Sequence, residues 1–220
     1  MAYLGREAAK APIVTADLPN DGVTLAKMTG GTDGNIISYD ASGDPVAIAT
    51  GTDGQVLTSS GAGSPPAFEG FPAGHVLQVK SAVVTAYSLI TTHLPSDDTI
   101  PQNDEGGEVI TQAITAGATD NTFWIFANIY AGTAANDTCT VALFKDSDAG
   151  AIAATAILDS GHMTRTLVHK ITTGSISQIT FKIRAGCTWA DTYVNGGTTA
   201  RLYGGVAATT LTIYEVKGAI

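Results

Sequence analysis

Charge is scarce in this 220-residue chain: 11 basic and 20 acidic side chains make up only 14% of it, where an average soluble domain carries about 25%. Bases are the rarer sign. Between Lys27 and Lys145 the only one is Lys80, so residues 28–144 carry −11 of a net −9. A chain so poor in cations does not grip a phosphate backbone, which excludes nucleic acid as a partner. Long apolar runs are missing too; none approaches the ~20 residues of a membrane-spanning helix, which excludes membrane insertion by helices. The opening MAYLGREAAK lacks the apolar stretch of a signal peptide. Cysteine is limited to Cys139 and Cys187, with no CxxC spacing. Without an export signal, both are expected to be free, buried thiols. No segment keeps a helical period for ten residues. Catalytic signatures are absent as well: no GxSxG, no HExxH and no Walker loop, and GAGSPP (61–66) runs into Pro-Pro rather than a helix.

Small residues fill the space, with 33 Ala, 31 Thr and 25 Gly. They are arranged in a repeat. GTDGNIISYDASGDPVAIAT (31–50) aligns with GTDGQVLTSSGAGSPPAFEG (51–70), and seven of twenty positions are identical, among them Gly34/Gly54, Gly43/Gly63 and Pro45/Pro65. Gly74-His75-Val76-Leu77 keeps the key twenty residues further on. Each TDG predicts a tight turn with positive φ at Gly34 or Gly54, followed by an apolar pair and a second glycine turn. One repeat holds about four apolar side chains, too few for a core, and stacked repeats need neighbours. Identical chains wrapped about a shared axis supply them. Ile36, Ile37, Val56, Leu57, Val76 and Leu77 are the expected trimer-axis residues.

Residues 75–220 alternate with period two, the mark of half-buried strands. In QITFKIR, Ile179, Phe181 and Ile183 oppose Gln178, Thr180, Lys182 and Arg184; in TCTVALF, Cys139, Val141 and Leu143 share a face. TFWIFANIY is apolar on both faces, which suits a strand covered on both sides or at a subunit interface. Further strands are expected at 107–114, 153–160, 165–171, 199–204 and 209–216. Eight or nine strands with Gly/Asn/Asp turns predict an antiparallel β-sandwich, a jelly roll. The fold class is therefore all-β: a repetitive β-shaft over 31–74 and a jelly-roll head over 75–220, homotrimeric, preceded by a segment over 1–30.

Few residues carry chemistry. The acidic loop SDDTIPQNDEGGE offers Asp97, Asp98, Asp104, Glu105 and Glu108 as candidate ligands of a calcium ion or as paired carboxylates for glycoside hydrolysis. The spacing fits no EF-hand and no aromatic groove flanks it, so a solvated loop is expected, with no catalytic residues, no resident metal and no cofactor. His169 alternates with Leu167 and Ile171 and is expected to be packed. Trp124 is expected in the core. Trp189 and Tyr193, in GCTWADTYVNGG, are the candidate ligand surface.

The repeat string 31–70 resembles the Gly/Asp-rich repeats of tail-fibre and related virion proteins of bacteriophages. The opening 1–28 looks like the segments that precede such repeats. DDTIPQNDEGGEVITQAIT, TFWIFANIY and the closing LTIYEVKGAI are similar to their trimeric jelly-roll heads. The resemblance implies a non-enzymatic component of the virion exterior, assembled in the host cytoplasm. Its 1–30 segment would bind another virion protein (capsid, neck or tail) and its head would meet a host surface glycan or protein. The same parts serve in capsid decoration proteins, the alternative reading; a polysaccharide-cleaving enzyme is a third, resting only on the acidic loop.

Overall fold

The glycine turns of the repeat dictate its local structure. In a computed structural model, which describes residues 30–219 apart from Ser160 together with Val14, Asp17 and Leu18, each repeat is a hairpin. The expected anchor over 1–30 lies outside the described residues except for these few. β1 (Ile36–Tyr39) pairs antiparallel with β2 (Pro45–Ile48), and β3 (Val56–Thr58) with β4 (Ala67–Glu69). The same turn precedes each pair: Asn35 N–H donates to Thr32 O, and Gln55 N–H to Thr52 O. Gly34 and Gly54 stand at φ 76° and 80°, a region open to glycine at little cost. The turn recurs once more, with Gly74 at φ 89° and His75 N–H donating to Pro72 O. Here the strand that follows, β5 (Val76–Val84), enters a different sheet. The chain divides into two compact units, Met1–Gly70 and Phe71–Ile220.

The second unit is built by nesting. β5 pairs with β14 (Thr209–Val216), β7 (Gly107–Thr115) with β12 (Gln178–Cys187), β8 (Thr122–Gly132) with β11 (His162–Thr172), and β9 (Asp137–Lys145) with β10 (Ala153–Asp159). First pairs with last and the middle strands with each other, so the sheet orders are β5-β14-β8-β11 and β10-β9-β12-β7. That is the jelly-roll topology. Two short strands, β6 (Ser88–Ile90) and β13 (Thr192–Val194), extend the first sheet at the far end of β8.

The period-two pattern is realised as expected. Phe123, Ile125, Ala127, Ile129 and Ala131 of β8 point inward, where they meet Ile179, Phe181 and Ile183 of β12 and Leu211 and Ile213 of β14, all buried in one cluster. Each Phe, Ile and Leu among them contributes about 1.5–3 kcal/mol on burial. Phe123 and Phe181 pack edge to face across the sandwich at 5.9 Å. The described residues of unit 1 form no comparable core. Among its described residues only Ile48 is a buried hydrophobic side chain, and Ile37 (59% exposed), Tyr39 and Leu57 face outward.

Three expectations need correction. Residues 199–204 form no strand: Gly196 and Arg201 make one isolated bridge, and a short 3₁₀ turn covers Tyr203–Gly205. β5 was not foreseen as a strand, because VLQVKSAVV puts Lys80 and Ser81 between its valines. The cysteines are not free. Cys139 and Cys187 are cross-strand partners in β9 and β12 and form a disulfide, buried as expected.

Candidate interaction surfaces

The two sheets treat their outer faces differently. On the β10-β9-β12-β7 sheet, residues 91–106 fold back as a cover. Leu94, fully buried, packs on Ala142 and Phe144, with Ala151 beside them. Arg184 pins the cover from below, donating Nε to Glu105 O and Nη2 to Gly106 O, both at 2.7 Å. The acidic loop is thus a lid on a small second core. Two of its carboxyl groups serve its own turns. Asp97 Oδ1 accepts from Thr99 N–H at 2.8 Å and Thr99 Oγ1 at 2.5 Å, and these bonds, the side-chain one foremost, lower the Asp97 pKa. Glu105 Oε2 accepts from Gln102 N–H at 2.8 Å. Glu108 sits in β7 opposite Arg184, and Asp98 and Asp104 are exposed. The five candidate ligands do not converge: among the described residues no three His, Cys, Asp or Glu side chains come together to hold a metal ion.

Among the described residues of its own unit, the β5-β14-β8-β11 sheet has no such cover. The even-numbered residues of β8 face outward, so Trp124 is half-buried on this face rather than in the core. Trp124 stacks on Phe126 at 6.3 Å, and Phe126 meets Tyr214 edge to face at 5.6 Å. Lys170 Nζ lies 5.6 Å from the centre of the Trp124 ring. Val79, Val83 and Val168 extend the apolar surface, each at least 48% exposed. A shallow concavity of about 290 Å³ opens between Val76, Trp124, Phe126, Tyr214 and Val216. TFWIFANIY pointed to this face through its apolar residues of both parities; Val79, Val83, Val168 and Tyr214 carried no such signal, since each looks like an ordinary strand residue.

A third surface lies at the end of the sandwich where β8 ends and β9 begins, opposite the end where β5 starts. Buried Asp137 accepts from Trp189 N–H (2.7 Å) and Ala190 N–H (2.8 Å) through Oδ2, and from Thr138 N–H through Oδ1. With the disulfide at Cys187, these bonds hold a loop that presents Trp189 at 81% exposure. Tyr193 lies in β13, half-buried, opposite Leu89 and Gly132. Near it, Tyr130 packs against His162 and Tyr203, each at 6.2 Å between ring centres. Burial, with the Tyr203 hydrogen bond second, raises the Tyr130 pKa. Trp189 and Tyr193 therefore belong to one end of the fold, as their sequence proximity suggested.

The repeat residues chosen for the axis alternate across their strands. Ile36 and Ile37 are consecutive in β1 and point to opposite faces, as do Val56 and Leu57 in β3 and Val76 and Leu77 in β5. Ile37, Leu57 and Leu77 share one repeat position and all are exposed. His169, on the inward parity of β11 between Leu167 and Ile171, is partly buried, and burial lowers its pKa from 6.5. Protonation then favours the unfolded chain, so the stability that neutral His169 confers is present above about pH 6.5 and lost as pH falls through its lowered folded value. A His169→Leu variant is expected to flatten this part of a melting-temperature profile between pH 7 and 5; an unchanged slope would show that other groups set it.

No protein-family model matches the chain, and no curated protein matches it. Similar solved structures are a sugar-binding protein, the EclA C-terminal domain (TM-score 0.29, 11% identity, 53% of this chain and 74% of that one), and a chain of infectious bursal disease virus, Gx strain (TM-score 0.30, 12% identity, 80% and 44%). The T13 particle of that virus aligns at TM-score 0.29, with 12% identity over 78% of this chain and 41% of that one. The chain thus spans less than half of those two viral chains. At such scores the likenesses add nothing to the fold already read from strand order.

Proposed function

We propose that the chain is a non-enzymatic structural protein of a bacteriophage virion: a short homotrimeric fibre on the particle exterior that contributes to host attachment. One observation carries this reading. Unit 1 builds two hairpins with a single buried hydrophobic side chain among its described residues and leaves Ile37 and Leu57 exposed. Hairpins of this kind are marginal alone and gain a core when identical copies pack together. The uncovered face around Trp124 and Phe126 has the same need, since contiguous exposed apolar surface marks a partner. Ile37, Leu57 and Leu77 line the axis in this reading. In the same reading the N-terminal segment attaches to another virion protein and the Trp189 end faces the host.

Light scattering on the full chain is expected to give three times the 22.4 kDa chain mass. Ile37→Asp with Leu57→Asp should abolish that species and leave monomer or aggregate. An unchanged trimer would remove these residues from the axis, and a monomeric parent would remove the fibre. Antibody labelling of virions separates placement: label at the tail or neck supports the fibre, whereas label spread over the shell makes the protein a decoration protein.

A further inference from the structure

We propose that the cleft between residues 95–101 and the outer face of β9 and β10 binds a single sugar ring of a glycan. Two adjoining concavities, of about 190 and 310 Å³, share Asp97, Thr99, Pro101 and Ala154. Their floor is the sheet surface at Thr140, Ala154 and Ala156, which lie side by side because Ala156 is the register partner of Thr140 and Ala154 that of Ala142. Pro95 and Pro101 stiffen the wall.

The lining selects the ligand. Ser96, Thr99 and Thr140 bring three hydroxyls around the smaller concavity, with the Asp97 carboxyl group at its rim. Thr140 is 5% exposed, and its Oγ1 is buried with no hydrogen-bond partner. A buried hydroxyl left unpaired is costly, and a donor or acceptor arriving in the cleft supplies what the protein does not. Asp97 has one oxygen engaged by Thr99, and the other has no partner among the described residues. Acidic groups here repel an anion. A divalent cation asks for six or more oxygen ligands, and no three carboxyl groups converge. A neutral polyol satisfies both halves of the site: its hydroxyls give and accept at Thr and Asp, and its C–H face lies on alanine and proline. The choice of sugars rests on the attachment reading, but virion labelling tests placement and free-sugar binding tests the cleft, so either can fail alone.

The test is saturation-transfer NMR on the full chain with glucose, galactose, N-acetylglucosamine and rhamnose. At least one is expected to bind saturably, with a Kd on the order of 1 mM. Asp97→Asn and Thr140→Val should each weaken it roughly tenfold, the loss of about one hydrogen bond. Ala156→Phe should block it, and Thr140→Val should melt no lower than the parent. Asp97→Asn and Ala156→Phe change exposed residues, so they carry the test even if Thr140→Val folds poorly. Absence of binding by all four sugars, binding that survives both exposed variants, or binding lost on adding EDTA would each overturn the proposal, the last in favour of a cation.

Discussion

Glu215→Ala is expected to lower the melting temperature by about 12 °C, corresponding to about 4 kcal/mol in a chain of this size. Glu215 is 1% exposed in β14, between β5 and β8. Its Oε1 accepts from Gly117 N–H and Asn121 Nδ2, and its Oε2 from Gln78 Nε2. Gln78 lies on the first strand of the jelly roll, Glu215 on the last, and Gly117 and Asn121 in the β7–β8 loop. Asn121 Oδ1 also accepts from Gly218 N–H, and Thr122 donates to Gly218 O. Truncation leaves Gly117 N–H and Asn121 Nδ2 without their acceptor, at about 1–3 kcal/mol each where they stay buried, while Gln78 Nε2 keeps Thr115 O. Glu215→Gln retains Oε1 but turns an amide toward Gln78, so a smaller loss is expected. Combining Glu215→Ala with Asn121→Ala should cost less than the sum of the two, since each removes the same bond. Strict additivity would show that the network does not act as a unit.

Different parts of this structure were legible to different degrees, for physical reasons. A turn is written in adjacent residues, so TDG predicted the glycine conformations at Gly34 and Gly54, and the period carried the same turn to Gly74. A strand buried on one face is written in alternation, so β12 and β9 could be read from QITFKIR and TCTVALF. The jelly roll followed from strand number and spacing, because eight or nine short strands joined by glycine-rich turns leave few other arrangements. What could not be read is which strand lies beside which. The cover formed by residues 91–106 depends on Leu94 reaching Ala142 and Phe144, and nothing local marks that pairing; the acids around it predict only a solvated loop. TARLYG alternates like a strand, yet Tyr203 at φ 50° and the glycines after it turn the chain away. Trp124 looked internal because its neighbours are, but its parity is that of the outer face.

The disulfide shows the same limit and yields the second large effect. Cys139 and Cys187 stand 48 residues apart, and only the nested pairing of β9 with β12 makes them neighbours. Closing a loop of that length restricts the unfolded chain by about 4 kcal/mol on the loop-entropy relation. The double substitution Cys139→Ala, Cys187→Ala is therefore expected to lower the melting temperature by about 8–16 °C. The sandwich itself should survive, because its core cluster does not depend on the two sulfur atoms. The sharper consequence is local. Asp137 and Cys187 brace the Trp189 loop from two sides, so losing the bridge should raise amide exchange at residues 188–191 more than in β8. The bond also bears on where the chain matures. A reducing cytoplasm keeps thiols reduced, so protein made there is expected to titrate as two thiols when denatured at once and as none after exposure to air. Equal melting temperatures for the reduced and oxidised forms would show that the bond contributes nothing to the fold, and the brace on the Trp189 loop would then fall to Asp137 alone.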